Sequence, residues 1–172
     1  RQAQGNKKIK EGDFIIMEII KKHIAYNHSR RYGRVRYIVI HDTGNTRKGA
    51  GALNHFLYFN GGNRRSSAHY FVDDKMIIET VPINRAAWHV GDGRGKYGIR
   101  NDNSIGIEIC VNQDSDYRVA FEKTVDLTKY LMKKLGIPKE RVVRHYDASR
   151  KICPRSVSAD GWALWEEFKK LL

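Results

Sequence analysis

Segments with strand character alternate with segments of helical spacing along this chain, and that order predicts an α/β fold. Three observations carry the prediction. Five short runs rich in β-branched residues are bounded by turn residues, two long stretches repeat apolar side chains at helical spacing, and two histidines fall at the C-terminal ends of predicted strands. In α/β sheets such strand ends are where sites are built.

The first run, Val35 to His41, reads as a buried strand and is broken by the turn residues Asp42-Thr43-Gly44-Asn45. Ala50, Leu53, Phe56 and Leu57 then recur at helical spacing until Asn60-Gly61-Gly62 stops them. His55 within that helix is assigned to its surface or to a satisfied contact. Ala68 to Val72 and Met76 to Val81 read as two strands around a turn at Asp73-Asp74-Lys75. A glycine-rich loop carrying Trp88 and His89 follows, a composition suited to ligand contact. In Ser104 to Val111, Ile105, Ile107 and Ile109 alternate with Gly106, Glu108 and Cys110, so the isoleucines share one face and Glu108 leaves by the other. Phe121, Val125, Thr128, Met132 and Leu135 form the stripe of an amphipathic helix that stops at Gly136. Arg141 to His145 reads as a strand. Trp162, Trp165 and Leu172 mark a last helix capped by Ser158 or Asp160.

At 172 residues the chain suits one domain with one core. Its 41% hydrophobic and 10% aromatic content is that of a folded globular protein. No apolar run approaches the roughly 20 residues that span a bilayer, so membrane insertion is not expected. Residues 1–16 are polar and basic and read as a tail or linker, without the apolar core of a secretory signal. The net charge of +13, from 32 Lys+Arg against 19 Asp+Glu, implies a polyanionic partner or surface. Nucleic acid, anionic membrane and anionic wall polymer all qualify. The cations come as scattered pairs such as Lys21-Lys22, Arg64-Arg65 and Lys133-Lys134 rather than as one tail, and no nucleic-acid motif accompanies them. Cys110 and Cys153 are too few for a disulfide scaffold.

The stretch Arg144 to Arg155, RHYDASRKICPR, gathers the strongest chemistry. His145 and Cys153 lie eight positions apart, with Lys151 two before the cysteine. An imidazole and a thiolate are good zinc ligands, and the spacing is not that of a zinc finger. His41 is the best third ligand. Two histidines and a cysteine leave one tetrahedral position for water or substrate, the mark of a catalytic site. Glu108, a carboxylate in an apolar strand flanked by small residues, is expected either to be paired or to do chemistry.

Five segments in order, VIHDTGN at 39–45, SAHYFVDD at 67–74, AWHVGDG at 87–93, SIGIEI at 104–109 and RHYDASRKICP at 144–154, resemble the zinc-dependent N-acetylmuramoyl-L-alanine amidases, a family that includes phage endolysins and peptidoglycan recognition proteins. The resemblance covers residues 17–172 as one catalytic domain. It implies a central mixed β-sheet flanked by helices, with one zinc ion per chain in a groove at strand ends. It implies hydrolysis of the amide joining N-acetylmuramic acid to L-alanine in bacterial peptidoglycan. His41, His145 and Cys153 match the zinc ligands, Glu108 the catalytic acid and Lys151 the lysine two before the last ligand. Trp88 and His89 match a groove-lining segment, and Thr43 and Asn45 are carried as substrate contacts. Asp147 is expected to orient His145. Some members carry a tyrosine before the histidine of the SAHY segment; here that position is Ala68, which puts the proton chemistry on Glu108. The enzyme reading competes with a non-catalytic recognition protein of the same fold and with a basic nucleic-acid-binding domain. The lack of a signal favours a protein made in the host cytoplasm that acts on the wall.

Overall fold

A computed structural model describes residues 17–172; the tail expected over residues 1–16 lies outside the described residues. Eight strands and four α-helices follow the chain: β1 (Ile19–Lys21), β2 (His28–Arg30), β3 (Tyr37–Asp42), α1 (Ala52–Asn60), β4 (Tyr70–Val72), β5 (Ile77–Glu79), β6 (Arg85–Ala87), β7 (Ser104–Ile109), α2 (Tyr117–Leu135), β8 (Val142–Arg144), α3 (His145–Ser149) and α4 (Ala159–Leu171). Six strands form one mixed sheet in the order β1-β5-β4-β7-β3-β8. β4, β7, β3 and β8 run parallel, while β5 is antiparallel to β4. The expected α/β class and mixed central sheet are therefore what the chain adopts.

The two-residue period of β3 and β7 divides the molecule. Ile38 and Ile40 register with Ile105 and Ile107, and with Ile109 they face the main core. Phe121, Leu127 and Leu131 of α2 and Trp165 and Phe168 of α4 cover them. The offset residues Val39, His41, Gly106 and Glu108 point the other way. On that face α1 covers one half, its Ala52 clustering with Phe71, Ile78 and Cys110 of the sheet side. Val90, Ile99 and Ala148 cover the other half against Val39. The site occupies the space between.

Helix boundaries follow local chemistry with two exceptions. Asp116 caps α2 by accepting the Val119 N–H, and Gly136 ends it at φ 64°, a conformation glycine adopts without cost. The N-terminus of α1 has no cap of its own. Asp73, far along the chain, accepts the Ala52 N–H at 2.8 Å while its other oxygen closes the β4–β5 turn through Lys75 and Met76. The cap expected for α4 at Ser158 or Asp160 is not there. The Ser158 hydroxyl donates to Arg155 O, and Asp160, Gly161 and Trp162 all take positive φ, a left-handed turn that sets Trp162 over the Arg144 guanidinium at 4.3 Å. Strands β1, β2 and β6 were not foreseen: each is three residues long and too short to show a period.

Candidate metal centre and cavity

Register brings the site together. His41 at the end of β3 lies directly opposite Glu108 of β7. On the other side Ile40 pairs with Arg144, so the next residue, His145, opens α3 beside His41. The chain then turns back, with Tyr146 N–H donating to Cys153 O and Ser156 N–H donating to the Asp42 carboxylate. Those two bonds carry Cys153 under the histidines. His41 Nδ1 lies 3.1 Å from His145 Nδ1 and 3.9 Å from Cys153 Sγ. One donor atom from each of the three residues falls within 4.8 Å of the others, and all three residues are buried.

A proton count behind these atoms fixes which nitrogens are free. The Ser104 hydroxyl has one proton, and it goes to Arg100 O at 2.6 Å. The 3.1 Å contact between Ser104 Oγ and His89 Nε2 must then be donated by the imidazole. His89 Nδ1 is left as an acceptor, so His41 Nε2–H donates to it at 2.9 Å. His41 Nδ1 therefore presents a lone pair. On the other histidine, Nε2 lies 2.8 Å from the Asp92 carboxylate and donates to it, leaving His145 Nδ1 as a lone pair too. Two acceptors facing each other at 3.1 Å beside a thiol cannot hydrogen-bond to one another. A cation between them satisfies all three, and the residues present fit a metal.

The electrostatics agree. Burial pushes the His41 and His89 pKa values well below the ordinary imidazole range, and neighbouring histidines push the same way. Burial also lowers His145, against the raising effect of Asp92. All three rings are neutral, the state a ligand needs. Burial first, and Glu108 second, push the metal-free Cys153 thiol up to about 12. Cys110 is a free, buried cysteine packed on the α1 side, not a disulfide partner of Cys153. Glu108 is pushed well above the usual carboxylate range by burial and then by Asp42, with Lys151 opposing. Its Oε2 is buried and accepts no hydrogen bond among the described residues.

A cavity of about 530 Å³ opens beside the three donors, lined by Trp88, Asn101, His145 and the exposed Lys151, with Arg65 and Ser66 on its wall. Trp88 stands where groove contact is expected. His89 is different: it reaches the cavity, but both ring nitrogens are committed to His41 and Ser104, so it positions a ligand rather than offering a free polar group. Thr43 and Asn45 do not line this cavity. The Asn45 side chain accepts the Arg47 N–H in an exposed local turn, and the Thr43 hydroxyl is buried without a partner among the described residues. The expectation for Asp147 is corrected. Its carboxylate is taken by Arg144, through the backbone and both arms of the guanidinium, and Asp92 orients His145 instead. Sequence spacing also missed Ser104, which accepts from His89, and Asn27, whose partners lie 32 to 40 positions along the chain.

An α/β domain with two histidines and a cysteine converging at strand ends beside an unpartnered carboxylate has the frame of a metallohydrolase. The chain belongs to the N-acetylmuramoyl-L-alanine amidase family: the family model of that description matches residues 31–156. It is 44% identical over 126 residues to the N-acetylmuramoyl-L-alanine amidase CwlH of Bacillus subtilis (strain 168), covering 73% of this chain and 49% of the relative. It is 40% identical over 133 residues to XlyA of the same organism, covering 77% and 42%. The chain thus spans about half the length of the curated relatives it matches. Among solved structures, the catalytic domain of XlyA superposes with a TM-score of 0.79 at 37% identity, covering 90% of this chain and 99% of that one. PlyL does so with 0.78 at 34% identity, covering 90% and 96%.

Proposed function

We propose that this domain is a zinc-dependent N-acetylmuramoyl-L-alanine amidase that cleaves the bond between the lactyl group of N-acetylmuramic acid and the L-alanine of the stem peptide in bacterial peptidoglycan. The observation that carries the reading is the pair of imidazole lone pairs meeting a buried thiol, one strand away from a carboxylate with an unpartnered oxygen. Family membership supports the reaction class. His41, His145 and Cys153 would hold the zinc, which when bound would polarise the scissile carbonyl as a Lewis acid.

The chain's own residues supply the rest. His89 and Asp92 keep the two imidazoles in the tautomer and orientation that ligation needs. Glu108, held above the usual carboxylate range, is suited to take a proton from the attacking water and return it to the departing alanine nitrogen. The C–O bond forms first as water adds to the carbonyl carbon; the C–N bond then breaks, and that proton leaves with the amine. Lys151 lines the same cavity and would supply a cation to the negative charge that develops on the carbonyl oxygen. The excess positive charge supports attraction to anionic wall polymers. Digestion of purified peptidoglycan tests the reading. New L-alanine N-termini without new reducing sugars are expected; new reducing ends, or no cleavage by metal-loaded protein, would overturn it.

A further inference from the structure

The loop between α1 and β4 carries a contradiction that points to a ligand. Arg65 sits at φ 58°, a left-handed conformation that costs a non-glycine residue on the order of 1 kcal/mol. The structure enforces it. Asn27, only 3% exposed, accepts the N–H of both Arg64 and Arg65 through one side-chain oxygen and donates its amide to Phe59 O and Gly62 O. Asn63 accepts the Arg65 N–H as well. The Asn27 carbonyl in turn accepts from the Ser67 hydroxyl at 2.6 Å, and that hydroxyl accepts the Trp88 N–H at 2.9 Å. The Arg65 backbone is therefore fixed relative to that of Trp88, and both residues line the cavity with Lys151 and His145.

The two neighbouring arginines are used differently. Arg64 stacks on Tyr58 at 4.4 Å and donates to Tyr58 O. The Arg65 guanidinium makes no hydrogen bond or ion pair among the described residues, and Arg65 is one of the residues that line the cavity. Asp92 is the only carboxylate on that lining, and its charge is engaged by His145. Arg65 and Lys151 leave the cavity with a positive balance. A guanidinium fork matches a carboxylate through two parallel hydrogen bonds, which a primary amide cannot accept in the same way.

We infer that Arg65 is a specificity residue that reads a free carboxylate on the peptide stem, so that stems with a free acid at the residue after the alanine are preferred over stems in which that acid is capped as a primary amide. The alanine carboxyl is itself tied up in the stem's peptide bond, so the first free carboxylate past the scissile bond belongs to the residue that follows. The inference rests on the amidase reading above, and its test separates the two.

Metal-loaded protein is given two muramoyl tripeptides that differ only in D-glutamate or D-isoglutamine at the second stem position. Arg65 is exposed, so the free acid is expected to have a kcat/KM about 2- to 5-fold higher, the upper range of one solvent-exposed ion pair. Arg65→Gln should bring that ratio close to 1, and Arg65→Lys should retain part of it. Because the guanidinium has no partner in the fold, Arg65→Gln should melt with the parent. Calorimetric binding of the two stem tripeptides without the sugar gives the second readout. Equal turnover of both substrates by the parent, or an equal loss on both in Arg65→Gln, would overturn the role of Arg65 and leave the amidase standing. No turnover of either, with the acid peptide bound more tightly only when Arg65 is present, would overturn the amidase and leave Arg65 as a carboxylate reader.

Discussion

Glu108 lies one strand over from His41, and a single substitution separates the two roles open to a partly buried carboxylate. Glutamine keeps its size but cannot take up and return a proton. Glu108→Gln is expected to keep its zinc and to lose about 10²- to 10⁴-fold in turnover. Its pKa is raised in the fold, so the folded state binds that proton more tightly than the unfolded chain does. The group costs no stability below the ordinary carboxylate value near ~4.3 and an increasing amount as pH climbs from there towards the folded value. Metal-free Glu108→Gln should thus melt at or above the parent, with a larger margin at pH 8 than at pH 4. A lower melting temperature with normal turnover would make Glu108 a structural residue. Asp92→Asn tests the other histidine: zinc affinity, measured against a chelator, should fall about 10- to 100-fold. Asp147→Asn should lose stability through Arg144 without that effect. The three candidate donors were legible because two histidines at strand ends and a cysteine in the loop that follows have a narrow chemistry. Asp92 was not, because its partner is 53 positions away while Asp147 offered a nearer choice.

The elements were legible wherever period and length were sufficient. The alternation in β7 assigned the isoleucines and Glu108 to opposite faces correctly, and the α2 stripe and its glycine stop were read from spacing alone. Short strands and borrowed caps were not, since β2 and β6 exist only as each other's partners and α1 takes its cap from Asp73. Gly106 shows what a strand position can hide. A Cβ built there would lie 2.7 Å from the His89 ring, so β7 must be bare at this point for His89 to stand behind His41. Gly106→Ala should cost about 1–3 kcal/mol by overpacking. It should also loosen zinc by displacing His89, so melting temperature and chelator competition fall together. An unaltered zinc affinity would show that His41 is held without His89.

For the whole molecule, the charge of +13 was plain from composition, but its target was not. Binding to isolated cell walls should weaken as salt rises from 50 to 500 mM, because screening shortens the reach of exposed cations. Walls stripped of their anionic polymers should show little of that dependence; salt-insensitive binding to intact walls would rule out charge as the attraction. The strand order has a further consequence, for the timing of folding. Strand β3, next to the sheet edge, has both neighbours, β7 and β8, drawn from much later in the chain, and its histidine meets donors 104 and 112 positions away. Such distant pairings are entropically costly to close and make a sheet slow to form. A chain emerging during synthesis has no complete donor set until Cys153 is out, whatever has already collapsed. Capture of a metal by these donors would therefore report the last long-range closure, and its rate during refolding, followed with a metal-sensitive dye, should lag behind the burial of the α2 face.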